Sequence, residues 1–590
     1  MGFRPSALPF IPGARFSDAV TAHLTAAGYL RHSIAAEEVF PLWNEALFAG
    51  TPFAANPLNK TAYPLEWIGA FIPADLFLNG MIVLHLTLAI WGIMRWTSGL
   101  GLRREAVLFC GLAYGLSPRL IGHLGAGHLD IVYAMAWLPW VMDAAHKLFE
   151  PGDSESPLLI RLTALGTFAA FMVIGDVRVG FFGLLIAIVY GISLFWRLQS
   201  VQRAQMIPVV MGAGGLFVIL TAALSVPLLL WSPYLSRAGL TQADAGIFAL
   251  QPLDFLGMLL PLQRANPETL TYLGLPVLVL AFAACATQFR KHRLWIGLAA
   301  ALALYAMGAN GGLWTVLTSA IPALLWFRVP SRAWIMVALM AVLLAGYGFD
   351  GLLRALQKRG VRRLTLPVLI VFGLTTTDLF LSGQHWLEWR GGENWLEPYV
   401  PLARRLLPLE PDRIYQPAYS LPQQAAQLFY LHLFGGVDPF QIDGVARAIR
   451  EAGGISDDHY SVIQPPLTGV TGDDLTQANQ GAALDTAALA AWKVSHVIAP
   501  YDLNQDGLTW IDTVDGIRIY RVDAYQPDEP HNPTVPAAYP RWAERPDLPS
   551  AIEIGRLNAA TSGVHVVSWI GFTFSGLIAA WASLRQRVKS

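Results

Sequence analysis

Long apolar runs alternate with short polar loops along most of this chain. Most runs are roughly 17–25 residues long, the length at which a helix crosses the hydrocarbon core of a bilayer. The pattern therefore predicts about eleven transmembrane helices. The expected spans are residues 76–97, 105–122, 127–148, 160–176, 178–197, 206–232, 270–289, 293–309, 331–353, 364–383 and 562–585.

Basic residues fall in alternate loops between these spans, and cytoplasmic loops carry such an excess. The strongest basic loop covers residues 354–363, and the C-terminal RQRVKS is basic as well. The apolar segment 311–330 contains Pro322, and we expect it to be re-entrant or interfacial, because an extra span there would place loop 354–363 outside. The remaining basic positions are Arg103, Arg104, Lys147, Arg161, Arg197, Arg203, Arg290, Lys291 and Arg293. Residues 1–75 and 384–560 then share the non-cytoplasmic side.

The polar region 384–560 differs from the rest of the chain in composition. It is rich in Pro, Asp, Gln and Gly, and it contains the strand-like runs DRIYQPA, KVSHVIAP and GIRIYRVD. We expect a polytopic α-helical membrane protein with an extracytoplasmic α/β domain. Its expected parts are a first outer loop (1–75), a multi-span membrane domain (76–383), the soluble domain (384–560), and a C-terminal transmembrane helix with a basic tail (561–590).

Composition narrows the functional class. The chain is 54% hydrophobic and only 14% charged, with a mean hydropathy of +0.45, which excludes an ordinary soluble protein of 590 residues. A net charge of −1 gives no basic field for nucleic acid. Cys110 and Cys285 both lie in apolar runs, so neither a disulfide framework nor a cysteine metal site is expected. We find no phosphate-binding loop, dinucleotide fingerprint, zinc-protease motif or nucleophile elbow.

Several phrases recur in the order typical of one family. Asp18 precedes a loop with Pro41-Leu42-Trp43-Asn44, Gly50-Thr51-Pro52, Asn56 and Tyr63-Pro64. GHLDIVYAMAWLPW, YLGLPVLVLA, FRVPSRAWIMVALMAVLLAGYGFD, FGGVDPF, AAWKVSHVIAP and GIRIYRVD follow. Together they resemble YfhO-like bacterial membrane proteins of the GT-C glycosyltransferase superfamily, from about residue 15 onward. The family opens with a helix before its Asp loop and has a Gly-His-x-Gln-like turn. Here no apolar span precedes Asp18, which suggests a missing upstream span, and the turn reads Gly175-Asp176-Val177-Arg178.

The resemblance implies a membrane glycosyltransferase of the bacterial cytoplasmic (inner) membrane. Such an enzyme moves a sugar from a polyprenyl-phosphate-linked donor to an envelope glycan or protein on the outer face, with inversion. Membrane lipids, the lipid-linked donor and the acceptor are the implied partners, with no nucleic acid, and partners within a membrane complex stay open. No cofactor is implied with certainty; the need for a divalent cation stays open because members of the superfamily differ.

Asp18 is the candidate general base, since the chemistry requires a carboxylate near the membrane surface that takes the proton of the acceptor hydroxyl. It matches the acidic position of the family's first loop. The alternative is a surface or helix-capping role beside Ser17. Glu37 and Glu38 form a second acidic pair, for which we favour solvated surface carboxylates.

His123, His128 and Asp130 cluster between two expected spans at the outer interface. Ionisable groups at membrane depth usually face a cavity or a partner, so either histidine is a candidate contact of the donor phosphate or the acceptor. The alternative is a packing role in the turn GHLGAGHLD. These three residues are a poor metal-ligand signature because their spacing is glycine-rich, and no metal site is assigned.

Three arginines and three first-loop residues complete the candidate substrate-binding set. Arg178 is placed to clamp a phosphate or to pair with Asp176 at the helix ends. Arg328 and Arg332, at a helix start, form either an anion site or ordinary interfacial side chains. The first-loop candidates are Trp43, Asn44 and Tyr63. For the two aromatic residues the alternative to stacking on sugar is anchoring of the loop.

Two other functions remain open at this stage. A lipid or lipid-linked-sugar transporter would use the same cavity, although the sequence has no internal repeat and no paired broken helices. A non-catalytic scaffold subunit of a membrane assembly would explain the altered turn at residues 175–178.

Overall fold

The computed structural model describes residues 6–149, 158–261, 266–456, 459–470, 474–527 and 547–589. The expected basic tail lies outside the described side chains, which end at residue 582. Helices dominate these residues. They are α1 (Thr25–Ala35), α2 (Ala74–Gly99), α3 (Arg104–Gly115), α4 (Pro118–Ala126), α5 (Leu129–Phe149), α6 (Leu158–Gly175), α7 (Val177–Phe195), α8 (Ser200–Trp231), α9 (Gln242–Ala245), α10 (Leu275–Ala306), α11 (Leu313–Ala320), α12 (Trp334–Lys358), α13 (Thr365–Gly383), α14 (Gly392–Trp395), α15 (Val400–Leu406), α16 (Gln423–Leu428), α17 (Asp443–Ala452), α18 (Thr486–Ala491) and α19 (Ala551–Lys589).

Eight helical stretches in the described residues are long and apolar enough to cross a membrane. They are Ala74–Gly99, Arg104–Ala126, Leu158–Gly175, Val177–Phe195, Ser200–Tyr234, Pro330–Lys358, Thr365–Gly383 and Ile552–Ala582. Each overlaps one of the eleven expected spans, although the last stretch begins ten residues before its expected start. The expected spans 127–148, 270–289 and 293–309 are not among the eight. The polytopic helical class is therefore confirmed. In the segment 311–330, α11 has 8 residues, too few to cross a bilayer.

Helix α10 contains both of the spans expected between residues 270 and 309. Gln288 breaks it, with non-helical backbone angles of φ −134° and ψ 37°. The backbone of Leu280 packs against Gly348 of α12, while the ring centroid of His292 lies 4.4 Å from that of Tyr347. In a straight helix Leu280 and His292 would lie roughly 18 Å apart. The chain therefore folds back at Gln288, and both halves pack on α12.

The basic loops meet at one end of the helix bundle. Arg103 donates to Gln357 over 2.6 Å and lies 3.5 Å from Asp350, which also pairs with Arg354 at 2.7 Å. Nearby, Asp143 pairs with Lys147 at 2.8 Å. Which side of the membrane this end faces stays a prediction.

The second domain is built on a four-stranded sheet. Eight short strands occur among the described residues: β1 (Leu8–Phe10), β2 (Glu388–Arg390), β3 (Arg413–Tyr415), β4 (Gly436–Val437), β5 (Ile463–Gln464), β6 (Val494–Ala499), β7 (Leu508–Val514) and β8 (Ile517–Val522). The main sheet has the order β3-β6-β8-β7, with β3 parallel to β6 and the other pairs antiparallel. We call residues 384–527 the sheet domain. Its strands β3, β6 and β8 match the three strand-like runs.

The first polar segment lies between the membrane helices and the sheet domain. Strand β1 pairs with β2, and Asn79 of α2 donates to the carbonyl of Ala7 over 2.8 Å. On the other side, the Gln423 amide donates to the carbonyl of Thr21 over 2.5 Å. The Asn56 amide donates to the Asp438 carboxylate over 2.8 Å. These contacts hold the residues around Asp18 between the two parts of the protein.

Candidate active site

Asp18 immediately precedes a π-helical turn at Ala19–Leu24, and its side chain makes no capping hydrogen bond there. Its side chain is 55% exposed although its chain neighbours Ser17 and Ala19 are buried. The surrounding protein still reduces the solvation of the carboxylate and raises the pKa of Asp18; His128 opposes this rise, while Asp130 and Glu268 add to it. The absence of a capping bond leaves this carboxylate available to another group.

Gly127 allows the Asp18 segment to approach the membrane helices. It ends α4 in the left-handed conformation with φ +79°, as is common for a helix terminator. A Cβ atom on Gly127 would lie 2.1 Å from the backbone nitrogen of Ala19 and 2.8 Å from that of Asp18. Glycine at this position therefore brings Asp18 close to the next residue, His128.

His128 connects Asp18 with a buried polar cluster. Its Nε2 atom lies 3.5 Å from Oδ2 of Asp18, and its Nδ1 atom lies 3.0 Å from Nδ1 of His123. One of these two Nδ1 atoms must donate the shared hydrogen bond, so the tautomers of both rings are linked. Nδ1 of His128 also lies 3.8 Å from Oε1 of Glu268. The two histidines predicted from the sequence are thus brought together beside Asp18.

Glu268 and Arg332 form a buried ion pair at the far side of His128. The Nε atom of Arg332 lies 3.0 and 3.1 Å from the two carboxylate oxygens, and its Nη2 atom also contacts Glu268. Burial alone would raise the pKa of Glu268, but the Arg332 guanidinium holds it well below its usual range. Arg119 supports this turn by donating to the carbonyls of Pro267, Glu268 and Leu270 over 2.9, 2.8 and 3.1 Å.

A second charged network lies next to the first. Arg178 contacts Asp176 and lies 2.7 Å from Asp130, which is 4.0 Å from Nε2 of His23. Asp176 also caps α7 by accepting hydrogen bonds from the backbone N–H groups of Arg178 and Val179 over 2.9 and 2.7 Å. Burial lowers the pKa of His23 to about 4, so this ring is neutral at pH 7. Arg178 thus has the ion-pair contacts that were the alternative to phosphate binding.

Lys60 lies beside this second network. Its Nζ atom donates to the carbonyls of Gly175 and Pro57 over 2.7 and 3.0 Å. Burial lowers the pKa of Lys60, and the carboxylates of Asp130 and Asp176 oppose that shift. A buried ammonium held by carbonyl oxygens is a candidate for an anionic ligand.

Among the described residues, one group of side chains could hold a metal ion. One atom each of His123, His128 and Glu268 lie within 4.8 Å of one another. Two imidazoles and a carboxylate suit a transition metal in their chemistry. However, Arg332 already contacts the Glu268 carboxylate, and its positive charge opposes a cation there. Asp130, considered with these histidines from the sequence, pairs with Arg178 instead.

The other predicted residues lie away from the Asp18–His128 contact. Arg328 donates to the carbonyl of Asp244 over 3.0 Å and lies 4.3 Å above the Tyr460 ring. Tyr63 is fully buried, and its hydroxyl contacts Nε2 of His85 and Nε1 of Trp137, both at 2.7 Å.

The two remaining first-loop candidates shape that loop. Trp43 is half-buried and packs against Gly50 and Trp231. Asn44 pairs its backbone with Thr51 in both directions over 2.8 Å, and its side chain accepts from Ala46. Of the acidic pair, Glu38 is exposed, and Glu37 is exposed and 3.2 Å from His32. These contacts are those of an anchored loop.

Sequence reasoning missed Arg119, Glu268 and Lys60 as members of this cluster. Arg119 could have been found, because it is a charged residue within an expected span, where ionisable side chains usually have a buried partner. Glu268 and Lys60 lie in polar loops, and no local pattern distinguishes them from surface residues.

The fold was compared with known proteins. The cryo-EM structure of the arabinofuranosyltransferase AftD from mycobacteria aligns with a TM-score of 0.50 and 15% identity over 87% of this chain. ArnT from Cupriavidus metallidurans aligns with a TM-score of 0.43 and 14% identity, covering 89% of this chain and 96% of ArnT. AglB from Archaeoglobus fulgidus, solved with an inhibitory peptide and a dolichol-phosphate, aligns with a TM-score of 0.43 and 10% identity, covering 83% and 67%.

No protein-family model and no curated protein matches the sequence. The chain spans 38% of the AftD chain. At 15% identity the likeness establishes the fold, and the resemblance to YfhO-like proteins stays a prediction. The chain is a multi-pass membrane protein with a GT-C-like fold, similar to that of the arabinofuranosyltransferase AftD.

Proposed function

We propose that this protein is a membrane glycosyltransferase that uses a polyprenyl-phosphate-linked sugar donor. It transfers the sugar with inversion to a cell-envelope glycan or protein, and Asp18 is the general base. The proposal includes a location in the bacterial cytoplasmic (inner) membrane, with the sheet domain and Asp18 outside the cytoplasm. The clustering of the basic loops at one end of the bundle supports this orientation.

The main support for this proposal is the exposed carboxylate of Asp18. Asp130, Asp176 and Glu268 are all buried and each contacts an arginine, whereas the Asp18 side chain is 55% exposed and lies 3.5 Å from His128. The nearby carboxylates of Asp130 and Glu268 also favour proton uptake by Asp18. An open, basic carboxylate at the edge of a fixed polar cluster is what deprotonation of a hydroxyl requires.

The reaction transfers one sugar and one proton. The acceptor hydroxyl oxygen attacks the anomeric carbon while the bond from that carbon to the phosphate oxygen breaks. Asp18 takes the hydroxyl proton, and the bonding electrons leave with the polyprenyl phosphate. His128 orients the Asp18 carboxylate, and Lys60 is our candidate for stabilising the departing phosphate, since its Nζ donates to neutral carbonyl oxygens. Arg178 and Arg332 are already paired with carboxylates.

The test is sugar release by the purified full chain in detergent. Polyprenyl-phosphate hexoses and pentoses carrying a radiolabelled sugar are incubated with the wild type, Asp18→Asn and Glu38→Gln. We expect sugar transfer or slow hydrolysis by the wild type and by Glu38→Gln, whose side chain is exposed on the same segment. Asp18→Asn should lose about 10²–10⁴-fold in rate.

Two results would contradict the proposal. Unchanged release by a folded Asp18→Asn protein would remove the catalytic assignment. Movement of intact lipid-linked sugar across liposomes, without any transfer or hydrolysis, would instead support the transporter alternative.

A further inference from the structure

A cavity lies beside the segment that carries Asp18. It has a volume of about 560 Å³, within the usual range of small-molecule sites. Its walls come from the first polar segment and from the sheet domain, whose contribution includes residues 390–402. Phe16 and Ser17, the two residues before Asp18, belong to its lining. A ligand here would therefore contact residues that directly precede Asp18, the candidate base.

Aromatic rings form much of the cavity wall. Phe16 and Tyr419 meet edge to face, with centroids 5.9 Å apart, and Trp395 and Tyr399 line the same space. Flat aromatic faces suit ligands that have a flat apolar surface and a polar rim. A sugar ring has this shape, because its C–H bonds form apolar faces and its hydroxyl groups project around the edge.

Three lining residues also carry buried polar atoms without a hydrogen-bond partner among the described residues. They are Nε1 of Trp395, Oγ of Ser420 and Oε1 of Gln424. Leaving such buried atoms unsatisfied is unfavourable, so they are expected to gain a partner from a ligand or from water. The set offers one donor, one acceptor and one hydroxyl that can do both, which matches a polyhydroxylated ligand.

The charges in the cavity favour a neutral ligand. Arg390 is already held by Glu388 at 3.1 Å and by the carbonyl of Ala14 at 2.5 Å, with its guanidinium over the Phe10 ring. Arg15 and Asp515 bring opposite charges to the lining. A lipid tail would leave the three polar atoms unsatisfied, and a charged ligand would meet a like charge, Arg15 for a cation or Asp515 for an anion.

We propose that this cavity binds a neutral oligosaccharide through its aromatic wall and the polar atoms of Trp395, Ser420 and Gln424. The proposal that an oligosaccharide binds depends only on the features of this cavity. Its identification as the acceptor glycan rests on the proposed glycosyltransferase function.

The experiment measures binding separately from transfer. Neutral hexasaccharides (α-1,5-arabinan, α-1,6-mannan, α-1,4-glucan and β-1,4-glucan) are titrated into the full chain in detergent by calorimetry. We expect saturable binding of at least one, weakened at least tenfold by Trp395→Ala and by Gln424→Leu. The matched control is Trp510→Ala, an exposed tryptophan of the sheet domain outside this cavity. Asp18→Asn should bind like the wild type.

Each other outcome overturns the proposal or a defined part of it. No binding of any hexasaccharide, or binding of an acidic oligosaccharide or a peptide in their place, overturns it. Loss of binding in Trp510→Ala with full binding in Trp395→Ala places the sugar on another surface and also overturns it. Binding without any transfer by the wild type supports the cavity and contradicts the proposed enzyme.

Discussion

The Nε2 atom of His128 lies 3.5 Å from Oδ2 of Asp18. The contact joins the first polar segment to the start of α5, and within the described residues it is the one ion-pair contact of Asp18. A histidine beside a base orients the carboxylate and influences its protonation. The consequences of this pairing can be measured.

Replacing His128 by glutamine should lower kcat of sugar transfer while Asp18 itself stays in place. We expect a loss of about 10–10²-fold, smaller than for Asp18→Asn, because His128 acts through Asp18 in the proposed mechanism. The measurement is kcat and KM over pH 5–9. If His128 orients Asp18, the double variant is no slower than Asp18→Asn alone and the pH profile of His128→Gln shifts. Fully additive losses would contradict this coupling.

Gly127→Ala should displace the Asp18 segment. The added Cβ would meet the backbone of Ala19 at 2.1 Å, and the φ of +79° disfavours alanine independently. Gly101→Ala is the matched control, because Gly101 has φ +75° but no neighbouring atom within 4 Å. We expect Gly101→Ala to lose about 1 kcal/mol of stability with full activity, and Gly127→Ala to lose more stability together with activity. Equal effects of the two changes on Tm and activity would show that the close approach is unimportant.

Glu268→Gln should destabilise the protein strongly. It leaves the buried Arg332 guanidinium without its carboxylate, and breaking a buried pair in this way costs about 3–5 kcal/mol. Arg405→Gln breaks the part-exposed pair with Asp512 and should lower the Tm far less. Thermal unfolding in detergent compares the two. A Tm for Glu268→Gln within a degree of the wild type would contradict the role of this pair.

Asp438 should give the protein a stability that falls as pH rises. Burial raises its pKa from 3.8 to about 6, while hydrogen bonds from Phe440 and Asn56 limit the rise. Between about pH 4 and pH 6 the folded protein keeps a proton that the unfolded chain releases, so stability decreases across that window and stays lower above it. The Tm of Asp438→Asn minus the Tm of the wild type should therefore increase as pH rises from 4 to 6.5.

Asp512 serves as the control, because the stability that it contributes should rise, not fall, as pH rises. The hydrogen bond from Arg405 lowers the pKa of this exposed carboxyl, so its contribution is present above its unfolded pKa and is lost on acidification. Asp512→Asn should thus lose Tm near neutral pH and approach the wild type below pH 4. A flat difference between Asp438→Asn and the wild type over pH 4–6.5 would refute the shift at Asp438.

Removal of divalent metal should leave sugar transfer unchanged. Arg332 already balances the Glu268 carboxylate that would be needed beside His123 and His128. Activity is measured after dialysis against EDTA, and again after addition of Mg²⁺, Mn²⁺ or Zn²⁺. Loss on chelation with recovery by one of these ions would instead assign a metal to the three side chains.

The sequence after strand β7 contains a local signal for a β-hairpin. Its partner β8 and the next strand of the sheet, β6, were expected from strand-like runs, but Leu508–Val514 was not. Asp515 and Gly516, at φ 49° and 82°, form a two-residue hairpin turn between β7 and β8. An Asp-Gly pair between alternating runs is a strong hairpin signal, so the strand was predictable from local chemistry.

The sequence by itself determined the membrane class, the approximate positions of eight of the eleven expected spans, and three strands of the sheet. These follow from the length and periodicity of apolar runs, which act between residues near one another in the chain. The tertiary structure decided the site. Asp18 and His128 are 110 positions apart, and Glu268 meets Arg332 while Arg328, four residues earlier, contacts Tyr460 instead. Such partners depend on how distant helices and loops pack, because burial selects which charged groups meet, and no local pattern of residues encodes that choice.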